Sequence, residues 1–130
     1  MKKSSLKRKT KLRKRSKSKA LLDKADQTLQ NYFRREFPDD KCEACGARAE
    51  VRHHHIEKSK SNAGRFNESN LISLCYKCHS KISFGHYDII STYSIKRGKK
   101  WAKQMEALKR EPKQSFSVRE LEEVIEKYGS

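Results

Sequence analysis

The segments CEACG (residues 42–46) and CYKC (residues 75–78) contain all four cysteines of the chain and decide its fold. A C-x-x-C turn directs two thiolates at one point, and two such turns complete a tetrahedron around Zn²⁺. Gly46 suits the positive φ that a tight knuckle needs. Four protein ligands leave no open position, so this zinc is expected to stabilise the fold and not to catalyse. The predicted structural zinc ligands are Cys42, Cys45, Cys75 and Cys78.

Two disulfides, or four unrelated thiols, are the alternatives to a zinc site. The basic start MKKSSLKRKTKLRKR is not followed by the apolar stretch of a secretory signal. No apolar run approaches the roughly 18 residues that a membrane span needs. We therefore expect a cytoplasmic protein without a membrane partner, in which thiols stay reduced and zinc binding is favoured.

The composition predicts one small domain with a polyanionic partner. The 130 residues include 32 Lys and Arg against 16 Asp and Glu, a formal net charge of +16, and only 34% are hydrophobic. A chain of this polarity can bury one small core, which usually needs a metal or a disulfide for stability. Such an excess of positive charge most often indicates a nucleic-acid partner.

The positive charge is concentrated at the start of the chain. Residues 1–19 hold 11 basic residues and no acidic one, which leaves 21 basic and 16 acidic residues for 20–130. Because like charges repel and little is apolar, residues 1–19 are predicted to be a disordered arm that binds nucleic-acid phosphates without sequence preference. A solubilising or targeting tail is the alternative. The arm residues expected to contact nucleic acid are Lys7, Arg8, Lys9, Lys11, Arg13, Lys14 and Arg15.

The rest of the chain, residues 20–130, is predicted to be a single α+β domain. Apolar residues recur at three- and four-residue spacing over 20–37, which predicts a helix that Pro38 ends. A compact zinc-bound core is expected over 42–84, with a short strand at 71–74 and a helix at 76–83. Further helices are expected over 87–128, the last beginning at an S-x-x-E capping box, Ser117 to Glu120.

The histidines add chemistry that a zinc site does not need. The motifs HHHI (53–56), Asn70-Leu71 and LCYKCHSK (74–81) together resemble the HNH endonuclease family, the ββα-metal nucleases, in its four-cysteine zinc branch. The resemblance extends to small phage-type members, some linked to recombination. It implies a ββα-metal fold, metal-dependent cleavage of DNA, a bacterial or phage-infected cell, and a phage or host recombination or packaging protein as a further partner.

The resemblance also implies roles for individual residues. His55, which directly precedes the hydrophobic Ile56, corresponds to the general base, and a neutral histidine can take a proton from water near pH 7. His54 and His79 correspond to ligands of a catalytic divalent ion, Mg²⁺, Mn²⁺, Ni²⁺ or Zn²⁺. Asn70 corresponds to the residue that fixes the loop and orients the base, or that contacts the metal.

Three features depart from the family pattern. A register shifted by one residue, with His53 as ligand and His54 as base, is the alternative, although Ile56 favours the first assignment. His86 is either a third ligand or an exposed histidine at a helix end. The acidic metal ligand of many relatives is missing, and an all-imidazole set favours softer ions over Mg²⁺.

Basic residues near the histidines are candidates for phosphate contacts. Arg65 could bind a phosphate oxygen in a bidentate fashion, or it could be a solvated loop residue. Lys77 and Lys81 could follow the DNA backbone. Two other functions remain open at this point: a non-catalytic zinc module that binds nucleic acid, and an adaptor whose last helix, 118–128, docks a partner such as a recombinase or terminase subunit.

Overall fold

A computed structural model of the chain describes residues 17–58, 62–112 and 115–129. Its first helix, α1 (Lys17–Glu36), begins three residues before the expected boundary and ends just ahead of Pro38. Ala25 and Leu29 are the buried residues of α1. The seven basic arm residues assigned to DNA all lie before residue 17, outside the described part of the chain.

The centre of the fold is an antiparallel hairpin of β1 (Val51–His54) and β2 (Leu71–Leu74). Val51 pairs with Leu74 and His54 with Leu71. The long loop between the strands therefore begins after His54 and leads back to its pairing partner, Leu71. Helix α1 is fastened to β1 by Gln30. Its side-chain amide accepts from the Arg52 N–H at 3.0 Å and donates to the Arg52 carbonyl at 2.8 Å, as a third strand would.

Three helices follow the hairpin and enclose the main core. They are α2 (Tyr76–Ser83), α3 (Asp88–Arg97) and α4 (Lys99–Arg110), and Gly98, with φ of 95°, separates the last two. Strand 71–74 and helix 76–83 confirm the sequence prediction. The core joins zinc-site cysteines to β2 and to apolar residues of α3 and α4, including Trp101, Met105 and Leu108.

The last helix, α5 (Val118–Gly129), packs against α1. The predicted capping box is present: the Ser117 N–H donates to Glu120 Oε1 at 3.0 Å, and the Glu120 N–H donates to Ser117 Oγ at 3.1 Å. Leu121 is 1% exposed and Tyr128 4%. These apolar residues of α5 are therefore buried within the protein itself and are not available to a partner, which argues against the adaptor hypothesis for this helix. No helix in the described part of the chain has the length and apolar character to cross a membrane.

Candidate active site and zinc centre

The four cysteines come together as the sequence predicts. Their sulfur atoms all lie within 4.8 Å of one another, and Cys45 Sγ and Cys75 Sγ are 3.7 Å apart. Zinc–sulfur bonds of about 2.3 Å in a tetrahedron would put sulfurs roughly 3.8 Å apart, so the cluster has the size of a zinc site. Gly46 has the expected positive φ, 82°. Among the described residues this is the one group of three or more potential ligands gathered so closely.

The backbone around the sulfurs has the hydrogen bonds of zinc knuckles. The Cys45 N–H donates to Cys42 Sγ at 3.5 Å, and the Cys78 N–H donates to Cys75 Sγ at 3.4 Å. Burial raises the pKa of the Cys42 thiol, but backbone N–H groups outweigh it and lower that pKa to about 7. Thiolate is the form that binds metal. Burial and the neighbouring thiols raise the pKa of Cys78, and a bound cation would favour its thiolate form. The spacing of the four sulfurs fits a structural zinc ion.

The zinc cluster also places the first functional histidine. Cys75 is the N-cap of α2, so the second knuckle and the start of that helix are one structure. His79 follows Cys78 directly and lies on the first turns of α2. From there its ring meets that of His53 on β1, with the ring centroids 5.2 Å apart in an edge-to-face arrangement.

His53, His54 and His79 line one open cleft of about 400 Å³ between α1, β1 and α2. Asp26 and Arg34 of α1 line it as well. Burial, together with the neighbouring histidines, lowers the pKa of His53 to about 4, and burial lowers the pKa of His79. All these rings are therefore neutral near pH 7, the form that binds a metal ion or accepts a proton.

His54 is held by the loop that follows β1. Its Nε2 lies 2.8 Å from the Arg65 carbonyl oxygen. A carbonyl can only accept, so Nε2 carries the proton and Nδ1 keeps its lone pair. Burial lowers the pKa of His54, despite the hydrogen bond to Arg65, which raises it. A ring held in this way presents the Nδ1 lone pair, which a general base needs and a metal ligand needs equally.

The structure does not bring His55 to the cleft, in contrast to its expected role as base. Strand β1 ends at His54, and the His55 side chain turns to the helices instead. Its Nδ1 lies 2.7 Å from the Tyr93 hydroxyl, and its ring lies 4.8 Å from that of Trp101. The cleft is thus lined by His53, His54 and His79, the residues of the shifted register, and His55 is not among its lining residues.

Asn70 fixes the loop and is not placed to bind metal. The residue is completely buried. Its Oδ1 accepts from the Ile56 N–H at 2.8 Å, while Nδ2 donates to the carbonyls of Ile56 at 3.1 Å and Gly64 at 3.0 Å. A Cβ on Gly64 would come within 2.7 Å of Nδ2, which shows how closely the loop encloses this amide. Of the two roles expected for Asn70, the geometry fits loop fixation.

Replacing Asn70 by Asp is expected to lower the free energy of unfolding by about 3–5 kcal/mol, because a buried carboxylate would face two carbonyl oxygens without a partner. Asn67→Asp is the matched control. The exposed Asn67 side chain only accepts, from the Ser69 N–H, and a carboxylate does the same. Denaturant unfolding of both variants measures the difference, and equal stabilities would contradict this role.

Arg65 forms an ion pair with Asp26 and is not among the residues that line the cleft. Its Nε donates to Asp26 Oδ1 at 3.0 Å and its Nη2 to Asp26 Oδ2 at 2.6 Å. The Arg65 side chain is only 11% exposed. The expected phosphate contact is therefore replaced by a structural one. The pair ties α1 to the residue whose carbonyl holds His54.

The remaining candidates lie at the surface. Lys77 and Lys81 are exposed on α2, and neither lines the cleft. His86 is exposed between α2 and α3, as the alternative to a third ligand predicts. Asp26 was missed by sequence reasoning. Nothing in the sequence marked it out, because it is one of three acidic residues among three basic ones in 20–37, and its partner Arg65 comes 39 residues later.

The fold combines the β1–β2 hairpin with the helix that follows it, α2. It also has a four-cysteine cluster of the size of a zinc site, and histidines on β1 and α2. These are the features of a ββα-metal domain with a zinc site. Residues 42–85 match the family model described as HNH endonuclease. The matched segment contains both cysteine pairs, the hairpin and α2, whereas α1, α3, α4 and α5 lie outside it. No curated protein and no solved structure matches the chain.

Proposed function

We propose that this protein is a metal-dependent DNA endonuclease with His54 as its general base. The observation that supports this most is the arrangement in one cleft: His54, held through Nε2 by a backbone carbonyl, lines the same cleft as the adjacent rings of His53 and His79. Hydrolysis of a phosphodiester needs an activated water and positive charge at the phosphate. The HNH match and the net charge of +16 support the same conclusion.

His54 Nδ1 accepts the proton of the attacking water. The new bond forms between the water oxygen and phosphorus, and the bond between phosphorus and the leaving oxygen breaks. The Arg65 carbonyl keeps Nε2–H in place and stabilises the imidazolium that results. The lowered pKa of His54 keeps the ring neutral and ready to accept at pH 7.

His53 and His79 are the residues that would hold the catalytic divalent ion. When bound, such an ion supplies positive charge that stabilises the leaving oxygen. Both donors are neutral imidazoles on rigid elements, β1 and α2, and their rings are already in contact. Imidazole nitrogen suits Mn²⁺ less well than Ni²⁺ or Zn²⁺, and Mg²⁺ least of all. We therefore expect the softer ions to support cleavage better than Mg²⁺.

The ion pair between Asp26 and Arg65 positions the base without touching the substrate. It fixes the backbone of Arg65 against α1, and the carbonyl of that residue holds His54. Lys58 Nζ lies 3.5 Å from the same Asp26 carboxylate at the cleft edge. The basic residues that line the cleft, Arg34, Arg52 and Lys58, outnumber its acidic residues, Asp26 and Glu57. The net positive charge makes the cleft suitable for a phosphate group.

The test of this function is cleavage of supercoiled plasmid by the zinc-loaded full chain with added Mg²⁺, Mn²⁺, Ni²⁺ or Zn²⁺. Conversion to nicked or linear DNA that depends on the added ion is expected, and His79→Ala should abolish it while keeping the structural zinc. A protein that binds DNA and cuts it with none of these ions would instead be a non-catalytic zinc module.

A further inference from the structure

A second groove lies next to the cleft, and Arg34 lines both. We call it the arginine–aromatic groove, after Arg34, Phe37, Arg48 and Tyr76. It has a volume of about 440 Å³ and runs between the end of α1, the segment before β1 and the start of α2. A DNA strand whose phosphate occupied the cleft could therefore continue directly into this groove.

The two aromatic rings of the groove are exposed although their surroundings hold them in place. Phe37 is 44% exposed and Tyr76 51%. Phe37 packs against Tyr32 and Phe33, with centroid distances of 6.1 and 5.9 Å. Tyr76 is the first residue of α2, and its N–H donates to Glu50 Oε1 at 3.2 Å. Rings that are both exposed and fixed can stack on bases at little entropic cost.

The two arginines are oriented by neutral acceptors. Arg34 Nε donates to the Glu50 carbonyl at 3.2 Å, and its Nη2 lies 3.5 Å from the Tyr76 hydroxyl. Arg48 Nε donates to the Pro38 carbonyl at 3.0 Å. Over residues 17–58, 62–112 and 115–129, neither guanidinium forms an ion pair with a carboxylate. Both keep their charge available for phosphates, in contrast to Arg65.

We propose that the arginine–aromatic groove binds an unpaired DNA strand next to the scissile phosphate, so that the substrate is DNA with a single-stranded segment at the cut. This rests on the proposed endonuclease function. Bases within a duplex are stacked on each other and cannot stack on Tyr76 or Phe37, whereas unpaired bases can. Stacking rings beside arginines are the recurring features of single-strand binding surfaces.

Binding is measured by fluorescence anisotropy of a labelled oligo-dT and of a duplex, with zinc-loaded protein and no further divalent ion. Tyr76→Ala is expected to weaken oligo-dT binding about tenfold, the usual contribution of one base stacked on one ring. Duplex binding should change less than about twofold. Tyr76→Phe keeps the ring and should bind as the wild type does. Phe84→Ala, which removes an 82% exposed ring outside the groove, is the matched control.

Cleavage of a forked substrate and of a duplex of the same sequence completes the test. The wild type should prefer the fork, and Tyr76→Ala should lose that preference with its zinc content unchanged. If Tyr76→Ala weakened binding of oligo-dT and duplex equally, or weakened neither, the proposed binding of an unpaired strand in the groove would be wrong. If the wild type cuts no DNA but Tyr76→Ala still loses oligo-dT binding selectively, the proposed endonuclease function is wrong, whereas single-strand binding by the groove is supported.

Discussion

His54→Ala is expected to reduce the rate of plasmid cleavage by about 10²–10⁴-fold, the usual contribution of a general base. Zinc content and DNA affinity should stay at their wild-type values, because His54 contacts neither the cysteine cluster nor the arginine–aromatic groove. The measurement is single-turnover cleavage at saturating DNA. His86→Ala, which removes an exposed histidine outside the cleft, should cut at the wild-type rate.

The pH dependence of the wild type carries a second signature of the base. A general base works only when unprotonated, and burial lowers the pKa of His54 below the usual 6.5. The cleavage rate should therefore persist as the pH falls through 6.5 and decline only at lower pH. The residual activity of His54→Ala should lack that acid limb. An unchanged limb in this variant would assign it to another group.

Loss of zinc is expected to unfold the domain. Three of the cysteines, Cys42, Cys75 and Cys78, belong to the main core, and the second knuckle caps α2. Structural zinc contributes apparent binding free energies of about 10–16 kcal/mol. That is as large as the whole stability of a typical domain, about 5–15 kcal/mol. Cys75→Ser should therefore lose zinc and most of its helical circular dichroism, and chelation of the wild type should do the same.

His79→Ala is the control for the zinc prediction, since it changes the residue next to Cys78 but removes no sulfur ligand. It should keep its zinc and its circular dichroism. A Cys75→Ser protein with full zinc content and unchanged thermal unfolding would show that the cluster does not hold the fold together.

The zinc site and the elements around it could be predicted because their signals are local. Two C-x-x-C pairs define the cluster, and the short segments 71–74 and 76–83 on either side of Cys75 form the strand and helix that the sequence predicts. The capping box before α5 is local too, and both of its hydrogen bonds are present. In each case the residues that interact lie close in sequence or share a repeated motif.

The orientation of the three consecutive histidines could not be predicted in this way. Alternation along a strand would place His53 and His55 on one side, but β1 ends at His54. Tyr93 and Trp101, which hold the His55 ring, come 38 and 46 residues later in the chain. Long-range packing thus decides which histidines face the cleft, and the motif alone favoured the other register.

The role of Arg65 depends on a long-range contact as well. From the sequence, this basic loop residue near the histidines fitted a phosphate contact as well as it fitted a solvated position. Asp26, on a helix that precedes the HNH segment, takes up its guanidinium. The arginines that keep their charge free, Arg34 and Arg48, lie before the histidines in sequence and carried no motif.

Comparison of His53→Ala with His55→Phe in single-turnover plasmid cleavage separates the two histidine registers, because His54 belongs to the site in either one. His53→Ala should lose about 10²-fold or more, the effect of removing several kcal/mol of metal-dependent stabilisation. His55→Phe, which keeps a ring against Trp101, should stay within about threefold of the wild type. Full activity of His53→Ala together with loss of cleavage in a folded, zinc-loaded His55→Phe would contradict the assignment.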